Sequence, residues 1–224
     1  DEPDLLVALG EKDAHRLHAI DTRPEAVEEA RRRIAAAGCY GHVAVDTWDG
    51  AHLPYADGLV NLLVVDAEAT VPKAEAMRVL APRGTMLQAS ADAQSPAAWT
   101  KTVKPWPEDI DQWTHWLRGP DCNAVAKDTR VGPPQHLQWL DDPKWLRHHN
   151  TTISFSAMVS ANGRVVTILN DMPPGLFGLP EKWVVQARDA FNGTLLWKRP
   201  LEQWGWSSWV QGRGASSRFD QPTD

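Results

Sequence analysis

The chain has 224 residues and a formal net charge of -6. This length is enough for one large or two small domains. An acidic chain has no general attraction for polyphosphate, and no apolar run approaches the roughly 18 residues that span a bilayer, so we expect neither nucleic-acid binding nor a transmembrane segment.

The first part of the chain alternates short apolar strands with amphipathic helices. The clearest helix has a proline in its first turn, glutamates early, arginines late and Gly38 after its end, which are common start and stop signals. The strand over 59–65 is apolar at nearly every position, as expected for burial on both faces. The alternation predicts a Rossmann-like α/β fold with a parallel sheet. The predicted strands are 17–20, 42–45, 59–65 and 85–88, and the helices are 24–37 and 72–80.

Tryptophan and alanine divide the chain near residue 98. Residues 1–98 contain one of the 12 tryptophans and 21 alanines, whereas residues 99–224 contain eleven tryptophans and 7 alanines. Alanine favours helices and aromatic residues favour strands, so the second part is predicted to be mainly β-structure. The small and polar segment 90–98 is the predicted boundary.

The second part begins with a predicted helix within 104–117 and continues as a meander of antiparallel strands. Two dipeptides, Asn162-Gly163 and Asn192-Gly193, predict type I′ hairpin turns, because both central residues of such a turn need positive φ. The strands are predicted around 136–140, 164–169, 183–187 and 194–198.

Carboxylates follow the strands at the edge where open α/β sheets bind ligands. Asp21 ends the first predicted strand, where an acidic side chain can accept hydrogen bonds from both ribose hydroxyls of a nucleoside. The alternative is a helix-capping Asp beside Thr22. Asp49 and Gly50 follow the second strand, and Asp66 follows the third. These five residues are the candidate cofactor-binding set, and no catalytic residue is identifiable.

Two segments resemble the class I S-adenosylmethionine (SAM)-dependent methyltransferases. The segment from Asp49 to Tyr55 fits their Asp-x-x-x-Leu-Pro-Phe pattern, and residues 75–84 fit their Glu-x-x-Arg-Val-Leu-Lys-Pro-Gly-Gly signature. The resemblance covers about residues 5–90. It implies SAM as the cofactor, with Asp49 receiving the adenine amino group and Asp21 the ribose hydroxyls.

The chain departs from that family at several positions. The family's glycine-rich loop, which carries the methionine moiety, is not found, and residues 4–10 look like the helix that follows it. We therefore expect the loop and the first strand to lie upstream of Asp1. Asn61 stands where the family usually has Asp, and Arg83 replaces the first glycine of the usual pair. Asp66 has no recognisable catalytic tetrad around it; it could face a substrate or simply be solvated.

Residues 187–197 resemble the repeat of quinoprotein-type β-propellers, Ala-x-Asp-x-x-x-Gly-x-x-x-Trp. Asp189 precedes the turn, where its side chain can accept backbone N–H groups. Trp197 is expected to pack between neighbouring blades. One clear copy is present, and a propeller usually needs at least four blades, so we expect the domain to continue beyond Asp224.

The order of these parts resembles large bacterial proteins, notably from planctomycetes, that join a methyltransferase-like domain to a quinoprotein (PQQ)-like propeller. PQQ itself is not expected, because the adjacent-cysteine pair and acidic calcium ligands typical of quinone-dependent dehydrogenases are not visible. The predicted layout is a methyltransferase-like domain over 1–90, a linker with a helix over 91–135, the first propeller blade or blades over 136–204, and an irregular tail or truncated strand over 205–224.

The leading interpretation is a SAM-dependent methyltransferase domain whose methyl acceptor is unknown. Its main alternative is a non-catalytic scaffold whose propeller binds a protein or glycan partner, and a quinone-dependent dehydrogenase is a second rival. No metal site is predicted, because His115, His136 and the pair His148-His149 have no diagnostic spacing. A working methyltransferase would be cytoplasmic, whereas a signal peptide in the missing N-terminus would make the protein extracytoplasmic.

Overall fold

The computed structural model describes residues 2–10, 16–90, 98–130, 132–134, 136–140, 155–172 and 181–205. The chain divides into two compact units, Asp1–Lys104 and Pro105–Asp224. No helix in the described part of the chain is long and apolar enough to cross a membrane. In the first unit the elements are α1 (Glu2–Gly10), β1 (Leu17–Asp21), α2 (Pro24–Ala36), β2 (Val43–Thr47), β3 (Val60–Val65), α3 (Lys73–Val79), β4 (Leu80–Ala89) and β5 (Trp99–Val103).

The first two strands form a parallel pair that is covered by α2. The register places Leu17 opposite Val43 and Asp21 opposite Thr47. The apolar stripe of α2 faces the pair, and fully burying each such side chain contributes about 1.5–3 kcal/mol. The predicted helix and both strands are therefore confirmed. The buried residues of this core are Val27, Ala30, Ile34, Cys39, Val43 and Val45.

The other three strands of the unit form a separate sheet in the order β3-β4-β5. Strand β3 is parallel to β4, and β5 is antiparallel to β4. The pairs β1–β2 and β3–β4 are parallel, as predicted. The prediction of one parallel sheet is wrong in two respects, because the strands form two sheets and β5 is antiparallel. Strand β5 lies beyond the predicted boundary segment 90–98, yet its hydrogen bonds to β4 place it in the first unit.

The burial predicted for β3 is wrong on one face. Leu62 and Val64 are 56% and 53% exposed. The described strands give β3 a single hydrogen-bonded neighbour, β4, and leave these two side chains uncovered. An apolar composition alone cannot distinguish a strand that is covered on both faces from one that is covered on one.

Arg83 and Gly84 lie in β4, just before the residues that pair with β5. Arg83 has φ +66°, a left-handed conformation that favours glycine, and it stands where the family has a glycine. The next residue, Gly84, is closely enclosed, because a Cβ there would lie 2.7 Å from the carbonyl oxygen of Ala81. Gly84 therefore stands where a side chain has no room, whereas at Arg83 only the backbone conformation is demanding.

The second unit contains a four-stranded antiparallel meander, which confirms the predicted topology, but the first of its strands was not predicted from the sequence. Its strands are β6 (Phe155–Ala161), β7 (Arg164–Asn170), β8 (Trp183–Asp189) and β9 (Leu195–Pro200), in that order. No closed propeller is present among the described residues. The four strands form a single sheet of the kind that one propeller blade contains.

The two predicted hairpin turns differ. Asn162 and Gly163 both have positive φ, +50° and +74°, as a type I′ turn requires. In the second turn Gly193 has φ +74° but Asn192 does not have positive φ, and the register shifts between Ala187 and Arg188. The type I′ prediction is wrong for this turn, since the bulge lengthens it.

The helix predicted within 104–117 is absent, and these residues form turns and short bridges instead. Two prolines, Pro105 and Pro107, remove backbone donors at the predicted start. The carboxylate of Asp111 accepts the backbone N–H groups of Gln112 and Lys127, at 2.7 Å each. Local side-chain acceptors have therefore replaced the helical hydrogen bonds.

The strand predicted around 136–140 is also absent. Trp139 instead donates its indole N–H to the carbonyl of Ala190 at 3.1 Å, and its ring lies where a Cβ on Gly193 would be. The aromatic signal in this segment therefore reflects packing on the β8–β9 turn. His148, His149 and the tail 206–224 lie outside the described residues.

Candidate functional site

The ends of β1 and β2 bring four of the five candidate residues together. Asp21 is the last residue of β1, and its carbonyl accepts the backbone N–H of Trp48 at 2.8 Å. A Cβ on Gly50, which has φ +81°, would lie 3.6 Å from the methyl carbon of Thr22. The loops that begin at Asp21 and Asp49 are therefore in contact, because parallel pairing ends both strands at the same edge.

The carboxylate of Asp49 is held by its own loop. Its Oδ1 accepts the backbone N–H groups of Ala51 at 2.8 Å and His52 at 3.2 Å. These two hydrogen bonds hold the pKa of Asp49 below its usual range, so the group is ionised at neutral pH. Among the described residues Oδ2 accepts no hydrogen bond, and the side chain is exposed. This loop therefore presents one oriented, negatively charged acceptor.

The carboxylate of Asp21 already has a partner. Arg23 donates Nε to Oδ1 at 3.1 Å, Nη2 to Oδ2 at 2.9 Å and its backbone N–H to Oδ1 at 2.8 Å. The side-chain hydrogen bond from Arg23 is the main reason why the pKa of Asp21 is lowered. Asp21 was alternatively expected to cap the following helix. Its carboxylate accepts the backbone N–H of Arg23, the residue before α2, and so forms a turn that leads into the helix. A ligand hydroxyl must compete with Arg23 here.

Asp66 is not joined to the other four residues. It is exposed after β3, its Oδ1 accepts the backbone N–H of Glu68 at 2.9 Å, and its carbonyl accepts the side chain of Gln88 at 3.1 Å. Within the described part of the chain these contacts belong to its own turn and to β4. Its place at a strand end matches the prediction, but contact with a shared ligand stays a prediction.

Two side-chain contacts around β1 were not predicted from the sequence. Arg23 pairs with Asp21, and Tyr55 packs edge-on against His18 with ring centroids 5.5 Å apart. Burial raises the pKa of Tyr55. An arginine two residues after a strand-end aspartate was the available signal for the Asp21–Arg23 pair, whereas the contact between Tyr55 and His18 needs the folded loop.

Among the described residues no group of three or more His, Cys, Asp and Glu side chains is arranged to hold a metal ion. His115 shares a 2.9 Å hydrogen bond with the hydroxyl of Thr114, its neighbour in sequence. At the ends of β1 and β2 the carboxylates of Asp21 and Asp49 are hydrogen-bond acceptors, and they could orient a ligand that carries donor groups.

No protein-family model matches this chain, and no curated protein matches it. Part of it overlaps several solved structures. A Methanococcus maripaludis protein assigned as a SAM-dependent methyltransferase has 18% identity and a TM-score of 0.32, over 37% of this chain and 41% of that one. The [4+2]-cyclase SpnF has 19% identity and a TM-score of 0.35, over 45% and 40%. A methyltransferase from Geobacter sulfurreducens has 17% identity and a TM-score of 0.28, over 39% and 60%. In the order named, the matched parts are thus 41%, 40% and 60% of the lengths of those three proteins.

Proposed function

We propose that the first unit binds SAM, with the adenosine at the ends of β1 and β2, and that the protein is of the SAM-dependent methyltransferase type. One observation carries this proposal. Asp21 and Asp49 lie on neighbouring parallel strand ends joined by the hydrogen bond from Trp48, and Asp49 presents Oδ2 without a partner among the described residues. The methyl acceptor is an unassigned substrate.

Asp49 fits the adenine end of the ligand. The exocyclic amino group of adenine is a hydrogen-bond donor, and Oδ2 is an ionised acceptor. Because two backbone amides fix Oδ1, the carboxylate loses little rotational freedom when the ligand binds. A hydrogen bond to an ionised group is stronger than one between neutral groups, so this contact favours an adenine over a base that presents an acceptor.

Asp21 fits the ribose of SAM once the side chain of Arg23 has moved away from its carboxylate. Two ribose hydroxyls are two donors, and they would take the acceptor positions that the Arg23 side chain now fills. The side chain of Arg23 is 66% exposed, so it can turn into solvent. The net free energy of such a partly exposed ion pair is small, because water can solvate the guanidinium once it is released, so ribose hydroxyls can displace it.

The residues present fit the adenosine half of SAM. SAM, when bound, supplies an electrophilic methyl group on its sulfonium sulfur for in-line attack by a nucleophile. Asp21, Thr22, Asp49 and Gly50 bind and orient the adenosine in this proposal, and Asp66, at the end of β3 in the other sheet of the unit, is proposed as a further ligand-binding carboxylate. A glycine-rich loop for the methionine moiety is not in this sequence. Such a protein is proposed to be cytoplasmic, because SAM is an intracellular cofactor.

For the second unit, we propose a quinoprotein-like propeller blade. Two features support this: the four-stranded meander, and the turn in which Asp189 accepts the backbone N–H groups of Phe191 and Asn192 at 2.8 and 3.2 Å. All six residues of β9 are exposed, and Trp197 is 40% exposed. This uncovered strand favours the second candidate function, a scaffold that binds a protein or glycan partner through the β-unit.

Calorimetric titration of SAM and of its demethylated product tests the proposal. It should be run on the 224-residue chain. Asp49→Asn is the sharpest variant, since its amide oxygen can still accept from Ala51 and His52 while its NH2 group meets the adenine amino group. We expect at least tenfold weaker binding. Asp109→Asn, which alters an ion pair with Arg130 in the other unit, is the matched control.

Two outcomes would contradict the proposal. If the wild-type chain does not bind at millimolar ligand, the scaffold becomes the better interpretation. If the wild type binds and Asp49→Asn binds equally well, the ligand is there but the site at the strand ends is wrong.

A further inference from the structure

We propose that Glu75 and Arg78, on α3, are positioning residues that hold the Asp49 loop in the geometry that accepts adenine. The inference rests on the proposed SAM site. The loop runs from Trp48 to Gly58, between the two sheets of the first unit in sequence, and the pair lies on the helix that precedes β4.

Arg78 binds the far end of the loop with its whole guanidinium fork. Nη1 donates to the carbonyl of Tyr55 and to the carboxylate of Asp57, both at 2.8 Å, and Nη2 donates to the carbonyl of Leu53 at 3.0 Å. The backbone carbonyl of Arg78 also accepts the N–H of Gly58 at 2.9 Å. One side chain therefore fixes the path of the chain over 53–58.

Glu75 completes the attachment and orients Arg78. Its Oε1 accepts the backbone N–H of Leu53 at 2.8 Å and Nη2 of Arg78 at 2.7 Å, and its Oε2 accepts Nε of Arg78 at 2.9 Å. Both backbone polar groups of Leu53 are thus bound by this pair, and its side chain is 3% exposed. The bonds from Arg78 lower the pKa of Glu75 to about 2, which keeps it an acceptor at every physiological pH.

The near end of the loop is bound to β1. The backbone N–H of Trp48 donates to Asp21 at 2.8 Å, and its indole N–H donates to the carbonyl of His52 at 2.7 Å. Asp49 lies between this near end and the far end held by Glu75 and Arg78. Its carboxylate is oriented by the backbone N–H groups of the same loop. Releasing the far end therefore loosens the amides that aim Oδ2.

Arginine is required for this role because the fork makes several bonds at fixed angles, whereas lysine has a single ammonium on a flexible stem. Arg78→Lys keeps the charge and removes the geometry. Glu75→Gln keeps an oxygen that can accept from Leu53 and removes the charge. Arg32, which pairs with Glu29 on α2 at 2.6 Å, gives the matched control Arg32→Lys.

The test combines two measurements on the full chain labelled with 5-fluorotryptophan. The fluorine resonance of Trp48, assigned by its loss in Trp48→Phe, reports the loop, and calorimetry gives the Kd of SAM. We expect Arg78→Lys to shift or broaden the Trp48 resonance, to leave the tryptophan signals of the second unit unchanged, and to raise the Kd at least tenfold. Glu75→Gln should do the same to a smaller extent, and Arg32→Lys should do neither.

An unchanged Trp48 resonance, or a Kd within twofold of the wild type, would overturn the inference. If Arg78→Lys does not fold, Glu75→Gln decides by the same two criteria. If the wild-type chain binds no SAM, the proposed function fails by itself, and the Trp48 resonance alone then decides whether the pair positions the loop.

Discussion

Two turns of the molecule have the same local geometry and different surroundings. In the loop after β2, Oδ1 of Asp49 accepts the N–H groups two and three residues later at 2.8 and 3.2 Å. In the β8–β9 hairpin, Oδ1 of Asp189 accepts the equivalent groups at the same two distances. Asp49 is exposed at the end of a parallel strand, whereas Asp189 is partly buried in an antiparallel hairpin. The turn alone therefore does not define a binding site, because the two carboxylates differ only in their environment.

The largest effect should separate the two carboxylates by stability. Asp189→Ala removes the oxygen that accepts hydrogen bonds from two partly buried amides. It should lower the free energy of unfolding of the second unit by about 2–3 kcal/mol. Asp49→Ala should have a much smaller effect on unfolding, because water can reach the amides of its exposed loop. Urea unfolding of both variants makes the measurement, and equal losses would remove the distinction between a structural and a ligand-binding turn.

The next effect concerns ligand affinity. Asp21→Ala should weaken SAM binding about tenfold to a hundredfold, and Asp49→Ala somewhat less, since Asp21 would bind two hydroxyls and Asp49 one amino group. Asp189→Ala should leave the affinity unchanged. Titration calorimetry of the three variants checks the order, and a loss of affinity in Asp189→Ala would show that the ligand depends on the β-unit.

A smaller effect of opposite sign is expected at Arg23. Arg23→Ala removes the side chain that occupies both oxygens of Asp21, so SAM should bind about two- to fivefold more tightly, in keeping with an exposed ion pair worth 0–1 kcal/mol. Arg16→Ala, an exposed arginine at the other end of β1, is the control. Weaker binding in Arg23→Ala would mean that the guanidinium contacts the ligand itself.

The last effect depends on pH and concerns the contribution of Glu75 to stability. Its pKa in the folded chain is about 2, below the ordinary 4.5, so the contribution is fully present above pH 4.5 and is lost as pH falls towards 2. Glu75→Gln should therefore approach the wild type in thermal stability as the pH is lowered from 6 to 3. A constant difference between the two melting curves across that range would argue that the Arg78 pair does not set this pKa.

Much of the first unit follows from its sequence pattern. The start, stop and periodic signals around α2 predict the helix, and the segment from Asp49 to Tyr55 lies in the loop that follows β2. The binding role of this loop stays a prediction. The pattern could not show that Arg23 would occupy Asp21, because that contact depends on a flexible side chain. Nor could it show that Leu62 would be exposed, because coverage by neighbouring elements is a property of the tertiary structure.

The second unit shows where composition misleads. Aromatic residues predicted strands, yet Trp139 packs on a turn, and the apolar residues within 104–117 lie in turns held by Asp111. Trp197, expected to pack between neighbouring blades, is 40% exposed within this single sheet and lies beside Arg199, whose guanidinium is 5.7 Å from its ring centroid. Its replacement by alanine should therefore cost less than the roughly 3–5 kcal/mol typical of a buried tryptophan. Its packing between blades stays a prediction.

The adenosine site proposed at the ends of β1 and β2 is tested most directly by a crystal structure of the 224-residue chain bound to the demethylated product of SAM. The account predicts that the adenine amino nitrogen lies about 2.7–3.2 Å from Oδ2 of Asp49, with the ribose hydroxyls on Asp21 and the Arg23 side chain turned away. An adenosine bound elsewhere, or bound here with Arg23 still paired to Asp21, would contradict it.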